Sequence, residues 1–276
     1  MLSNIFTISL TGLKTNLCCC RIASLHVTSL FDMLRWSLIS LLFPVFEMAW
    51  FARFNGRTNQ DLVEYLRTSG IIKTDRVYEV MSAVDRGNYV RSGYAYFDAP
   101  QQIGYGATIS APHMHAYALE ILEEKLYNGA RALDVGSGSG YLTTCMALMT
   151  GPNGLVVGIE HIPELNLFAM ENVKKDKPEL IEYNRIQFVA GDGRLGYSQQ
   201  APYNAIHVGA AAKELPHALI DQLALGGRMV LPVGSGISDQ MLIQVDKTHD
   251  GSITQKPLTG VAFVPLTSRD SQYYIS

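Results

Sequence analysis

The segment Leu133-Asp134-Val135-Gly136-Ser137-Gly138-Ser139-Gly140 constrains the fold more than any other stretch of the chain. An apolar run ending in alternating glycines reads as a buried strand followed by a sharp turn. A side chain with a Cβ could not let a ligand approach such a turn so closely. Further apolar runs of strand length follow at Leu155–Glu160, Ile186–Ala190, Asn204–Val208 and Arg228–Val233. Between them Tyr141–Thr150, Pro163–Lys175 and Leu215–Leu223 read as helices. Strands alternating with helices predict an α/β fold with a doubly wound, mostly parallel sheet of Rossmann-like type. Gln240–Asp246 and Val261–Leu266 read as late strands, the second near an edge because it carries Pro265. Ahead of the sheet, Asp61–Ser69 and Asp75–Val84 predict a helical N-terminal portion, with Gly70 at a helix C-cap. Tyr94–Pro112 reads as a loop, and Pro112 opens a helix to about Lys125.

Composition narrows the class of ligand. The 276 residues are 47% hydrophobic and 17% charged, a balance that folds rather than staying disordered. A formal charge of -3 supplies no positive field for nucleic acid or an acidic membrane, so a protein or small-molecule partner is expected. Of the four cysteines, three form the run Cys18-Cys19-Cys20 and the fourth is Cys145. That set builds no disulfide framework for the main domain and has no zinc spacing, so a reducing compartment and no metal are expected.

Composition also shifts near residue 47. Residues 1–47 are rich in Leu, Ser and Thr, and their longest uncharged runs, Leu2–Leu13 and Trp36–Phe46, fall short of a membrane span. A poorly ordered appendage, a targeting or membrane-surface segment and a packed element all stay open for this extension. The cytosol is the expected location, and a targeting extension would redirect a fraction to mitochondria or a membrane.

The glycine turn is joined by three acids at the carboxyl ends of successive strands. The dinucleotide pattern GxGxxG would need glycine at 141, where the chain has Tyr141. Asp134 stands two residues before the first glycine, suited to a cationic ligand end. Glu160 closes the second strand, where doubly wound folds place an acid on ribose hydroxyls. Asp192-Gly193 follows the third, within reach of an adenine amino group. An ammonium, a carboxylate and a sulfonium with no pyrophosphate describe S-adenosyl-L-methionine, the expected cofactor. Taken singly, each acid also reads as a solvated loop residue.

Residues 48–276 resemble the protein-L-isoaspartate (D-aspartate) O-methyltransferase family essentially end to end. The resemblance rests on Ala107-Thr108-Ile109-Ser110-Ala111-Pro112-His113-Met114-His115-Ala116, Leu133–Gly140, Gly191-Asp192-Gly193, Ala205–Ala212 and Leu231-Pro232-Val233-Gly234. Met48-Ala49-Trp50 is similar to the usual animal start, which leaves residues 1–47 as an extension. The resemblance implies a class I methyltransferase domain over 48–276 that acts on isoaspartyl-containing proteins and peptides, as a monomer. It implies Ser110 as the catalytic-site serine, with Ala107, Thr108, Ile109 and Ser110 lining the methyl-transfer pocket. Cofactor binding is implied at His115, Asp134, Gly136, Ser137, Gly138, Gly140, Glu160, Asp192, Gly193, Thr267 and Gln272. Glu160 stands where the family commonly has aspartate and Asn204 where it often has aspartate.

The chemistry suits these residue types. An isoaspartyl residue exposes an α-carboxylate, ionised at neutral pH, that can attack a sulfonium methyl without a strong base. Ser110 would orient that carboxylate by a hydrogen bond; on spacing alone it also reads as the N-cap of the helix opened by Pro112. The ester would then collapse to a succinimide that opens partly to normal aspartate, as the family's repair role implies. His113 and His115 point in different directions with no third ligand nearby, and His207 reads as a core histidine. The place after the fourth strand reads His207-Val208-Gly209-Ala210, not the Asn/Asp-Pro-Pro-aromatic motif of DNA adenine enzymes. Other small-molecule or protein carboxyl methyltransferases, and a binding protein without turnover, are the remaining alternatives.

Overall fold

The computed structural model describes residues 56–91, 93–236 and 239–273. The extension read at residues 1–47 lies outside them. Helix α1 (Asn59–Thr68) opens on Thr58, whose hydroxyl accepts from the Asp61 amide while the Asp61 carboxylate accepts from Thr58 N. This reciprocal box satisfies donors that the first helical turn leaves open. Gly70 follows α1 at φ +73°, a backbone state glycine adopts without strain. Helix α2 (Asp75–Ala83) starts at Thr74, whose backbone N–H donates to the Glu120 carboxylate, tying it to α3 (Pro112–Leu122).

The described sheet has seven strands in the order β5-β4-β3-β6-β7-β8-β9. The strands are β3 (Arg131–Val135), β4 (Leu155–Glu160), β5 (Ile186–Ala190), β6 (Tyr203–Val208), β7 (Leu223–Val233), β8 (Gln240–Lys247) and β9 (Ile253–Val261). Strands β3 to β7 pair in parallel, and β8 and β9 add an antiparallel wing. Helices α4 (Tyr141–Met149) and α5 (Pro163–Asp176) follow β3 and β4, as the alternating pattern predicts. Two shorter helices, α6 (Glu179–Glu182) and α7 (His217–Asp221), precede β5 and β7.

Alternate strand residues separate into two buried apolar clusters. Ala132, Val156, Ile186, Ala205 and Val230 pack with Leu62, Leu119, Met146 and Leu165 of the longer helices. Leu133, Val157, Ile206, Met229 and Leu231 pack with Leu219 of α7 and with Tyr197 and Leu266. This is the period-two division expected of a sheet buried on both faces.

Two sequence expectations are corrected. The stretch Tyr94–Pro112 is not all loop, for it contains the antiparallel hairpin β1 (Gln101–Gly104) and β2 (Ala107–Ile109). The last strand is not Val261–Leu266 but β9, which is an edge strand and carries Pro257. Its residues are almost all exposed, so no apolar pattern announces it. An edge is where a residue lacking an N–H is tolerated. Pro265 instead makes an isolated parallel bridge to Ala211.

Candidate active site

The glycine turn hangs from the ends of two neighbouring strands. The backbone N–H groups of Gly136 and Ser137 both donate to Ile159 O, at 2.8 and 3.2 Å. Gly209 N donates to Val135 O at 2.8 Å, which brings the end of β6 against the same turn. Gly136 has φ +76°, and a Cβ there would meet nothing within 4 Å, so its open side faces free space. The turn is thus held from behind and bare in front.

Two adjoining clefts open there, spanning about 530 Å³ and 330 Å³ of atom-free space that is in part open to solvent. Thr108, Gly136, Gly138 and Gly209 line both, so the two share a wall. Ala107, Glu160, Gly193, Thr267 and Gln272 line the larger, and Ile109, Ser110, His115, Asp134 and Ser137 the smaller. Two of the sequence candidates stand apart. Asp192 lines a neighbouring cleft with His161 and is bound to Arg194, with Oδ2 2.6 Å from Nη2. Hydrogen bonds from Arg194 hold its carboxyl below the usual range. Gly140 lines neither cleft: at φ +82° it starts α4, and a Cβ would press on Ala169 and Phe188 at 3.1 Å. Its missing side chain serves packing.

The polar groups of the smaller cleft form a network that sequence spacing did not reveal. Asp134 and His207 sit side by side in the β3–β6 register, and Asp134 Oδ1 lies 2.8 Å from His207 Nδ1. Thr143 Oγ1 of α4 donates to Asp134 Oδ2 at 2.6 Å. His207 is therefore a satisfied, buried histidine and a cleft residue together. Each carboxylate oxygen still has a lone pair for a ligand ammonium. Ser137 Oγ is buried with no hydrogen-bond partner, a polar atom left for a ligand. Ser110 is half-buried, and the N-cap of α3 is Ala111, with no side-chain cap bond. The capping role read for Ser110 is not the one the fold uses.

In the larger cleft, Glu160 Oε1 accepts from Ile162 N at 3.1 Å and Oε2 from Gly138 N at 3.3 Å. Burial nevertheless raises the Glu160 carboxyl above its ordinary value, against the pull of these backbone donors. His161 Nε2 lies 2.6 Å from Gln272 Oε1, and Gln272 Nε2 donates to Tyr105 O at 2.9 Å. The tail is thereby tied to both the β4 end and the β1–β2 turn. His161, Gly209, Ala210 and Leu266 line the clefts without having been singled out, and only the strand order brings them there. Asn204 accepts from Arg131 N and donates to Tyr127 Oη, where an aspartate would accept from both groups.

A cleft at the carboxyl ends of parallel strands, with a bare glycine turn, buried acids and a serine across from them, fits a nucleoside ligand carrying a cationic amino-acid end. Comparison with known proteins agrees. Residues 57–271 match the family model described as protein-L-isoaspartate(D-aspartate) O-methyltransferase. The chain is similar to a Caenorhabditis elegans protein-L-isoaspartate O-methyltransferase, 52% identical over 82% of this chain and 99% of the relative. It is similar to the Triticum aestivum enzyme of that name, 53% identical over 78% of this chain and 93% of the relative. Among solved structures it resembles a Plasmodium falciparum protein-L-isoaspartate O-methyltransferase in complex with S-adenosyl-L-homocysteine. That likeness has a TM-score of 0.71 and 40% identity over 77% of this chain and 99% of that one.

Proposed function

The chain belongs to the protein-L-isoaspartate(D-aspartate) O-methyltransferase family, and we propose that it methylates the free α-carboxylate of isoaspartyl residues, and also the side-chain carboxylate of D-aspartyl residues, in damaged proteins. S-adenosyl-L-methionine, bound in the cleft, supplies a methyl group activated on a sulfonium sulfur. The single observation that carries the site assignment is that the two clefts meet at the glycine turn. A ligand seated on Gly136 and Gly138 lies beside Ser110, because the same residues wall both spaces.

Within that reading Glu160 holds the ribose hydroxyls. Its two backbone donors leave lone pairs free, and burial strengthens each hydrogen bond it accepts. Asp134, oriented by Thr143 and His207, receives the ammonium of the amino-acid end. Ser137 Oγ offers the partner it otherwise lacks. Gln272 and Thr267 close the side nearest β4. Ser110 donates a hydrogen bond to the substrate carboxylate and takes no proton from it, because that group is already ionised at neutral pH. Leu142, Ile159 and Leu266 make part of the walls apolar. Holding two reactants in near-attack geometry supplies on the order of 7–11 kcal/mol, so the protein has little covalent work left to do.

The test is a pair of peptides identical except at one residue, isoaspartyl in one and aspartyl in the other. Labelled methyl from S-adenosyl-L-methionine should enter the first and leave the second almost unlabelled. Equal labelling of both would overturn the substrate assignment.

A further inference from the structure

Arg86, in the turn just after α2, is fully buried. A guanidinium is rarely found so deep without dedicated partners. Two of the three hydrogen bonds of its guanidinium reach residues that line the smaller cleft. Nε donates to Ala95 O at 3.0 Å, Nη2 donates to Ser110 O at 2.8 Å, and Nη1 lies 3.4 Å from His115 Nδ1. The guanidinium also lies 5.6 Å from the ring centroid of Tyr141, which packs 5.0 Å from the His115 ring.

An arginine has donors and no acceptor, so the nitrogen that faces it must accept. A neutral imidazole carries one ring proton; with Nδ1 accepting, that proton sits on Nε2. We propose that Arg86 is a positioning residue that locks His115 as the Nε2–H tautomer while gripping the Ser110 carbonyl, so that the ring presents an N–H donor to a carboxylate in the cleft. Burial first, and then the Arg86 charge, holds His115 well below its ordinary range, which suppresses the doubly protonated ring that would set an N–H against the guanidinium. Arg86 itself is lowered by burial to about 10 and stays cationic at neutral pH.

Two carboxylates fit that donor, the amino-acid end of the methyl donor and the isoaspartyl group, and the inference rests on the cleft reading given above. The ring tautomer, however, can be read in the free protein without any activity. The experiment is nitrogen NMR of histidine-labelled full-length protein, with His115 assigned by the signals lost in His115→Gln. The expected result is an unprotonated Nδ1 and a protonated Nε2 across neutral pH. In Arg86→Lys, which keeps the charge but not the fork, the two tautomers should mix. Affinity or turnover should then fall by up to about 100-fold, the scale of a misplaced reacting group.

Calorimetry with S-adenosylhomocysteine and the KM for the isoaspartyl peptide distinguish the two carboxylates. Lost affinity at constant KM assigns the donor to the cosubstrate; a raised KM at constant affinity assigns it to the substrate. If Arg86→Lys fails to fold, His115→Gln, which retains an N–H donor, should keep more activity than His115→Leu. A wild-type proton on Nδ1 would overturn the proposal. So would an unchanged tautomer together with unchanged constants in Arg86→Lys, or equal activity of the two His115 variants.

Discussion

At the carboxyl ends of β3, β4 and β6 the chain buries Asp134, Glu160 and His207, each held by neighbours from another element. On β9, in the same sheet, seven of nine residues are exposed and none lines either cleft by the glycine turn. The two regions belong to one hydrogen-bonded sheet and differ in what their side chains must do. Parallel strands covered on both faces can take polar groups out of water only where partners are waiting. An exposed antiparallel edge imposes no such demand. The buried polar groups are therefore concentrated at one end of the parallel strands, and the wing extends the sheet.

Four measurements sharpen or break this contrast. Asp134→Ala orphans both Thr143 Oγ1 and His207 Nδ1. Each buried group left unpaired costs about 1–3 kcal/mol, so unfolding free energy should fall by about 2–6 kcal/mol in denaturant titration. Loss below that range would mean the network is not tightly held. Ser110→Ala should cut turnover on an isoaspartyl peptide about 10–100-fold, the worth of a hydrogen bond to a charged group of about 1.5–3 kcal/mol. Stability and S-adenosylhomocysteine affinity should hold, because Ala111 rather than Ser110 caps α3. Unchanged turnover would remove Ser110 from the chemistry.

The third measurement concerns pH. His115 is buried, and its folded value lies well below the 6.5 of the open chain. The unfolded chain thus binds a proton near that pH that the folded protein refuses. Stability from this group is complete above about pH 6.5 and is lost on acidification, by at most about 1.4 kcal/mol per pH unit. His115→Gln should flatten that slope, and an identical slope would contradict the burial argument. The smallest effect belongs to the wing: Lys256→Ala, on exposed β9, should change stability by less than about 0.5 kcal/mol and leave ligand affinity alone. A larger effect would show that the wing contributes to the site.

The same contrast explains what could be read in the sequence. Strands β3, β4, β5 and β6 announce themselves as mainly apolar runs because side chains from both their faces enter a buried cluster. The glycine turn and the acids Asp134 and Glu160 follow from their place at strand ends. Strand β9, with the sequence Ile-Thr-Gln-Lys-Pro-Leu-Thr-Gly-Val, has no buried face to write a pattern, and the apolar stretch at its end reads as the strand in its place. The β1–β2 hairpin is too short to show a period. The pairing of Asp134 with His207 depends on β3 lying beside β6, which spacing along the chain does not encode. Arg86 was invisible for another reason, since an arginine in sequence reads as surface and only its burial shows that it grips Ser110 and His115.

The most direct test is a crystal of the full chain soaked with S-adenosylhomocysteine. The ligand should rest on Gly136 and Gly138, its ribose at Glu160 and its sulfur facing Ser110. A turn left bare, or a ligand bound with its sulfur directed away from Ser110, would contradict the assignment of this cleft to methyl transfer.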